Sequence, residues 1–192
     1  MYSDSQKRTI GTLFIILGLL IIAAATLSTV TSITGRSMSP SLALYLPVIL
    51  ALLIWTPLLF VLKGKASVAA AIHIAYILAN LLLGTDLRLG HILMMLFLSL
   101  PCWVILAHTP ELPAVQIPAA LMAGSSIFFS LILFSILEHN LHIIFRVLFR
   151  MCDLAELIAG GLLIGKSVQW IGGTLPDEAG EYLADEIEEE PT

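Results

Sequence analysis

Charge is what this chain has least of. Only 12% of its 192 residues are Asp, Glu, Lys or Arg, about half of the ~25% usual in soluble domains, while 58% are hydrophobic. At a mean hydropathy of +0.99 there is too little polar surface to cover a water-facing globule, so the composition excludes an ordinary soluble domain and points to an integral membrane protein. Cysteines number only two. Cys102 and Cys152 lie in or beside apolar stretches, which favours neither a disulfide framework nor a metal site. Connections long enough to hold a separate soluble module are also missing, leaving a single membrane domain over residues 1–176. No internal repeat supports an inverted-repeat architecture.

The charge that is present is unevenly placed. Residues 177–192 form an acidic tail, in which "DEAGEYLADEIEEE" holds eight of the 14 acids and no base, leaving six acids against nine bases elsewhere. The tail reads as a solvated, largely disordered end. Tyr182, Leu183 and Ile187 would supply apolar contacts if a basic partner docked on it.

About 20 apolar residues in a helix cross a hydrocarbon core about 30 Å thick. Five segments meet or approach that length: 10–33, 42–62, 66–84, 90–107 and 117–137. A sixth, 157–173, is shorter and carries Lys166 near its middle. The expected fold is therefore an all-α integral membrane bundle of about six transmembrane helices. The joints "TGRSMSPS", "KGK", "TDLRLG" and "HTPELPAVQIP" suit turns between antiparallel helices. Pro47, Pro57 and Pro101 fall within spans, where kinks are expected rather than breaks. Lys7, Arg8, Lys63 and Lys65 collect on one side and Arg36, Arg88, Arg146 and Arg150 on the other. The first helix breaks the tie, its amino end being the more basic, and puts both termini in the cytoplasm. Its apolar run is too long for a cleaved signal peptide ending near "AAA" at 23–25.

Between the fifth and sixth spans lies "EHNLHIIFRVLFRMCDLAE", residues 138–156. At roughly 100° per residue, Glu138, His139, His142, Arg146, Arg150, Asp153 and Glu156 share one third of a helical wheel. Apart from Asn140, everything outside that arc is apolar, the signature of a strongly amphipathic helix. The simpler placement is in the interface plane, with Arg146 and Arg150 toward lipid phosphates. The other stands the helix inside the bundle, its stripe toward a wet interior.

Ionisable groups within a span are costly and point to function. His73, Tyr76 and Asn80, spaced i, i+3, i+7, form a polar stripe on one face of the third span. It would either hydrogen-bond neighbouring helices or line a solute or proton path. The five histidines do not pair at one depth as axial haem ligands would, and His139 with His142 lacks further donors, so neither metal nor cofactor is expected. Ala159, Gly160, Gly161 and Gly165 give the last span small faces for close packing in the bundle or against another subunit.

Two strings resemble catalytic motifs. "GRSMSP", residues 35–40, resembles the signature of type I signal peptidases, which would cast Ser37 as nucleophile. That chemistry needs a general-base lysine from a following β-rich domain. Here another apolar span follows, with Lys63 and Lys65 at its far end, so Ser37, Ser39 and Pro40 read as loop chemistry. "GGLLIGKS", residues 160–167, satisfies the phosphate-loop pattern but has no strand before it. It reads as a chance match.

The function expected first is a non-catalytic accessory or scaffold subunit of a membrane complex. Its partners would be lipids and a second protein or copy of itself, and nucleic acid is not expected. A small channel or transporter for protons or a small solute is the alternative. With no nucleophile and base in register, enzymatic activity is not expected.

Overall fold

A computed structural model describes residues 2–34, 40–83, 88–138 and 142–175. The described chain is all-helical: α1 (Asp4–Thr34), α2 (Pro40–Val61), α3 (Gly64–Leu83), α4 (Arg88–Met94), a π-helical turn (Met95–Ser99), α5 (Leu100–Ala107), α6 (Pro113–Glu138) and α7 (His142–Ile171). Three helical stretches, Asp4–Val30, Gly64–Leu82 and Pro113–Ile132, are long and apolar enough to cross a membrane. Val48–Val61 and Ile92–Ala107 are shorter apolar helices. The "GRSMSP" serines and the acidic tail lie outside the described residues.

With α4, the π turn and α5 counted as one rod, six rods pack in chain order, and α7 returns to lie along α1. Every substantial helix contact among the described residues joins neighbours in this order, so the rods form a closed ring. The α1–α7 seam closes it. A Cβ built on Gly18 would lie 2.8 Å from the Gly160 carbonyl oxygen, and one on Gly160 would lie 2.9 Å from that of Gly18. Two backbones meet there as only glycine permits. Gly11 lies against Ile171 farther along, so the two helices run antiparallel. By contrast Gly161 and Gly165, on the same small-residue stretch, have nothing within 4 Å of an added Cβ.

One end of the ring is tied by the amino terminus. Ser3 and Gln6 bond reciprocally: the Ser3 amide donates to Gln6 Oε1 at 3.1 Å and the Gln6 amide to Ser3 Oγ at 3.3 Å. This capping box serves the orphan amides at the start of α1. Beside it the Lys63 amide donates to the Tyr2 hydroxyl at 3.0 Å, and the Tyr2 ring meets Trp170 edge-on at 6.4 Å. Residues from α1's start, the α2–α3 turn and α7's end thus share one end. The Leu59 carbonyl, four residues before Lys63, accepts from Ser67 Oγ at 3.1 Å.

The outer surface is apolar: Phe60 is 81% exposed, Leu82 82% and Phe97 71%. Water does not tolerate such an envelope, whereas acyl chains do. Polar side chains turn inward, with His73, Ser99, Ser125, Ser126 and Ser130 all buried. Ser126 and Ser130 satisfy their hydroxyls on the Met122 and Ser126 carbonyls at 2.9 and 2.8 Å.

The amphipathic segment does not form a helix of its own over 138–156. Glu138 closes α6, His142 opens α7, and α7 continues through the expected boundary at 156/157 to Ile171. Nothing in "LAELIAG" breaks a helix, and extending one already nucleated adds a hydrogen bond per residue. The thirty residues of α7 reach about 45 Å. The phosphate-loop string falls inside this unbroken helix.

Candidate functional site

A cavity of about 240 Å³ occupies the middle of the ring, and all six rods line it. From α1 come Leu17, Leu20, Ile21 and Ala24, the helix's central two turns. Helix α2 contributes Ala51 and Trp55, and α3 contributes His73 and Tyr76. The π turn gives Met95 and Ser99, α5 gives Trp103, α6 gives Met122 and Ser126, and α7 gives Glu156. Around the ring α3 lies opposite α7. The imidazole and phenol of the third rod therefore share one chamber with the carboxylate of the last.

On the α2, α3 and α5 side, four rings cluster. His73 lies 4.3 Å from Trp55, 5.3 Å from Trp103 and 5.5 Å from Tyr76, centroid to centroid, and the two indoles stand edge-on at 5.8 Å. These separations fall in the attractive range for aromatic pairs. The imidazole is 9% exposed, and its Nδ1 is buried without a hydrogen-bond partner among the described residues. Such a nitrogen forfeits the water bonds it had in the unfolded chain, a cost of about 1–3 kcal/mol.

Backbone geometry brings Trp103 and Ser99 to the chamber. Proline cannot donate to the carbonyl four residues before it, and its ring crowds that carbonyl. Pro101 lies two residues past the π turn, whose wider register passes the Leu100 amide to the Met95 carbonyl. Inserted π turns of this kind are frequent at functional sites.

Across the chamber Glu156 is partly buried and, among the described residues, has neither a hydrogen-bond nor an ion-pair partner. Among the described residues no Lys or Arg lines the cavity. One turn away Asp153 is fully engaged, pairing with Arg150 and accepting from Thr29 Oγ1 at 3.2 Å and Ser28 Oγ at 3.5 Å. Two carboxylates three residues apart thus meet different surroundings.

No family model, curated protein or solved structure matches this chain.

Of the residues singled out in the sequence, His73, Tyr76 and Glu156 converge on the chamber. Asn80 does not line it; its Nδ2 donates to the Tyr76 carbonyl at 2.8 Å, one turn back on α3. Arg150 and Asp153 belong to the α1–α7 seam. His139 lies outside the described residues, as do the side chains of Glu138, His142 and Arg146. Trp55, Trp103, Ser99 and Ser126 complete the chamber without having been marked by any charge pattern in the sequence.

Proposed function

We propose that this chain is a polytopic membrane protein whose six rods each cross the bilayer, with both termini and the acidic tail in the cytoplasm. Its central chamber is the binding step of a small channel or transporter for protons or a small solute. One observation carries the reading: a carboxylate and an imidazole nitrogen, both without a partner among the described residues, share a cavity midway along the bundle. Polar groups held there at a cost, and left without protein partners, are what a transported species would satisfy. Purified protein in liposomes under an imposed pH gradient is expected to dissipate it, and Glu156→Gln or His73→Ala to slow the dissipation. Vesicles that stay tight to protons and to a panel of small solutes, with the protein correctly folded, would overturn this function.

The accessory-subunit reading keeps one specific support. Gly161 and Gly165 face outward with open space above them, as a partner helix in the membrane would require. Purification in mild detergent that brings down a stoichiometric partner, lost on Gly161→Leu, would favour it.

A further inference from the structure

We infer that the chamber selects a compact organic cation, one carrying an ammonium group with methyl or methylene substituents. This rests on the reading of the cavity as a solute site and names the chemistry of the solute. Among the described residues the lining carries a single carboxylate, Glu156, and no Lys or Arg to neutralise it. A carboxylate held away from water is stable only when protonated or paired, so an occupant that stays at Glu156 in its ionised form is positive.

The opposite wall decides between an inorganic and an organic cation. A hard metal ion seeks six or more oxygen ligands in place of its water. Here one carboxylate faces two serines, and the Ser126 hydroxyl already donates to the Met122 carbonyl. What the wall does supply is aromatic character: Trp55, Tyr76 and Trp103 all line the cavity, packed around His73, with Tyr76 partly exposed and the indoles reached only at their margins, 1% and 4% exposed. Aromatic faces attract weakly hydrated ammonium groups, by about 2 kcal/mol or more once water is excluded. At ~30 Å³ per water molecule the space holds about eight waters, room for a cation of few heavy atoms and little beyond. A carboxylate on one side and the Tyr76 ring with the indole margins on the other match the charge and the alkyl substituents of such a molecule.

The probes are choline and its uncharged carbon isostere, 3,3-dimethylbutan-1-ol, titrated onto the full-length protein in mild detergent. Tryptophan emission reads binding, because two of the three tryptophans line the cavity. Choline is expected to shift the emission saturably and the isostere not to. Glu156→Gln is expected to weaken choline by about tenfold or more, and Glu156→Asp, which keeps the charge, to retain it within a few-fold. Equal responses to choline and the isostere, or unchanged choline affinity in Glu156→Gln, would overturn the proposal. Should Glu156→Gln not fold, the isostere comparison on the unaltered protein and Glu156→Asp still decide it. Proton flux that depends on Glu156 with no choline response sinks the cation and leaves the transport reading standing. Saturable choline binding in a protein that moves nothing across a vesicle does the reverse.

Discussion

His73 stacks on Trp55 with ring centroids 4.3 Å apart and planes tilted by 35°, yet its Nδ1 meets no hydrogen-bonding partner among the described residues. Packing and polarity pull in opposite directions at one residue. His73→Phe keeps a ring against Trp55 and Trp103 and deletes the orphan nitrogen, so it is expected to stabilise the fold by about 1 kcal/mol. That corresponds to a rise of roughly 2–4 °C in the unfolding midpoint for a chain of this size. The same change is expected to slow proton flux in liposomes. A group kept against stability and needed for activity is functional. A variant that is less stable and transports normally would mark His73 as packing alone.

The α1–α7 seam makes a sharper stability test. Gly18→Ala and Gly160→Ala each set a methyl group within 3 Å of the facing carbonyl, which is backbone and cannot rotate away. Each is expected to cost about 1–3 kcal/mol through forced separation of the helices. Gly161→Ala, with open space above it, is expected to be neutral or to gain up to about 1 kcal/mol from helix propensity. Thermal unfolding of the three variants in one detergent checks the order, and equal losses at all three positions would count against the seam.

Much of this was legible before any coordinates, and the illegible part has a physical cause. The helical class follows from apolar runs, and the shared face of His73 and Tyr76 from their i, i+3 spacing. That α7 turns Glu156 toward them depends on α7 lying along α1, a contact between chain segments well over a hundred residues apart that no local pattern encodes. The same closure explains why the carboxyl-terminal part of the charged stripe meets α1 and the chamber. Asp153 finds Ser28 and Thr29 on α1, and Glu156 finds the chamber, so these two members of the polar arc are served inside the bundle. Trp55 and Trp103 are silent in sequence because an aromatic within an apolar run looks alike facing lipid or facing a cavity. The capping pair Ser3 and Gln6 was readable as S-x-x-Q, although hydropathy alone starts the first helix at residue 10.

Tyr2 couples that amino-terminal cap to the α2–α3 turn. Burial pushes its hydroxyl above the ordinary tyrosine value of 10.0, and the Lys63 amide that donates to it pulls the other way. A raised value means the neutral phenol is favoured in the fold. Its contribution is complete below pH of about 10 and is lost as pH rises through the raised value. Tyr2→Phe is expected to cost about 1 kcal/mol at neutral pH and to remove that alkaline component. Denaturation midpoints of the two proteins, followed from neutral pH upward, check it. Parallel curves would show that the phenol does not link α1 to the turn.

Asp153 separates a structural carboxylate from a functional one within a single turn of α7. It pairs with Arg150 and accepts from Ser28 and Thr29, whereas Glu156 has no such partner among the described residues. Asp153→Asn is therefore expected to destabilise, by about 1–3 kcal/mol, because charge-assisted bonds to Arg150 and the α1 hydroxyls weaken together. A double-mutant cycle with Thr29→Val is expected to give a coupling of about 0.5 kcal/mol or more, as residues in direct contact do. Glu156→Gln is expected to leave stability unchanged or improved, since it discharges a carboxylate that no neighbour compensates, while abolishing Glu156-dependent flux. If instead Asp153→Asn spared stability and removed flux, the roles of the two carboxylates would be reversed, and the path would run along the α1–α7 seam rather than through the chamber.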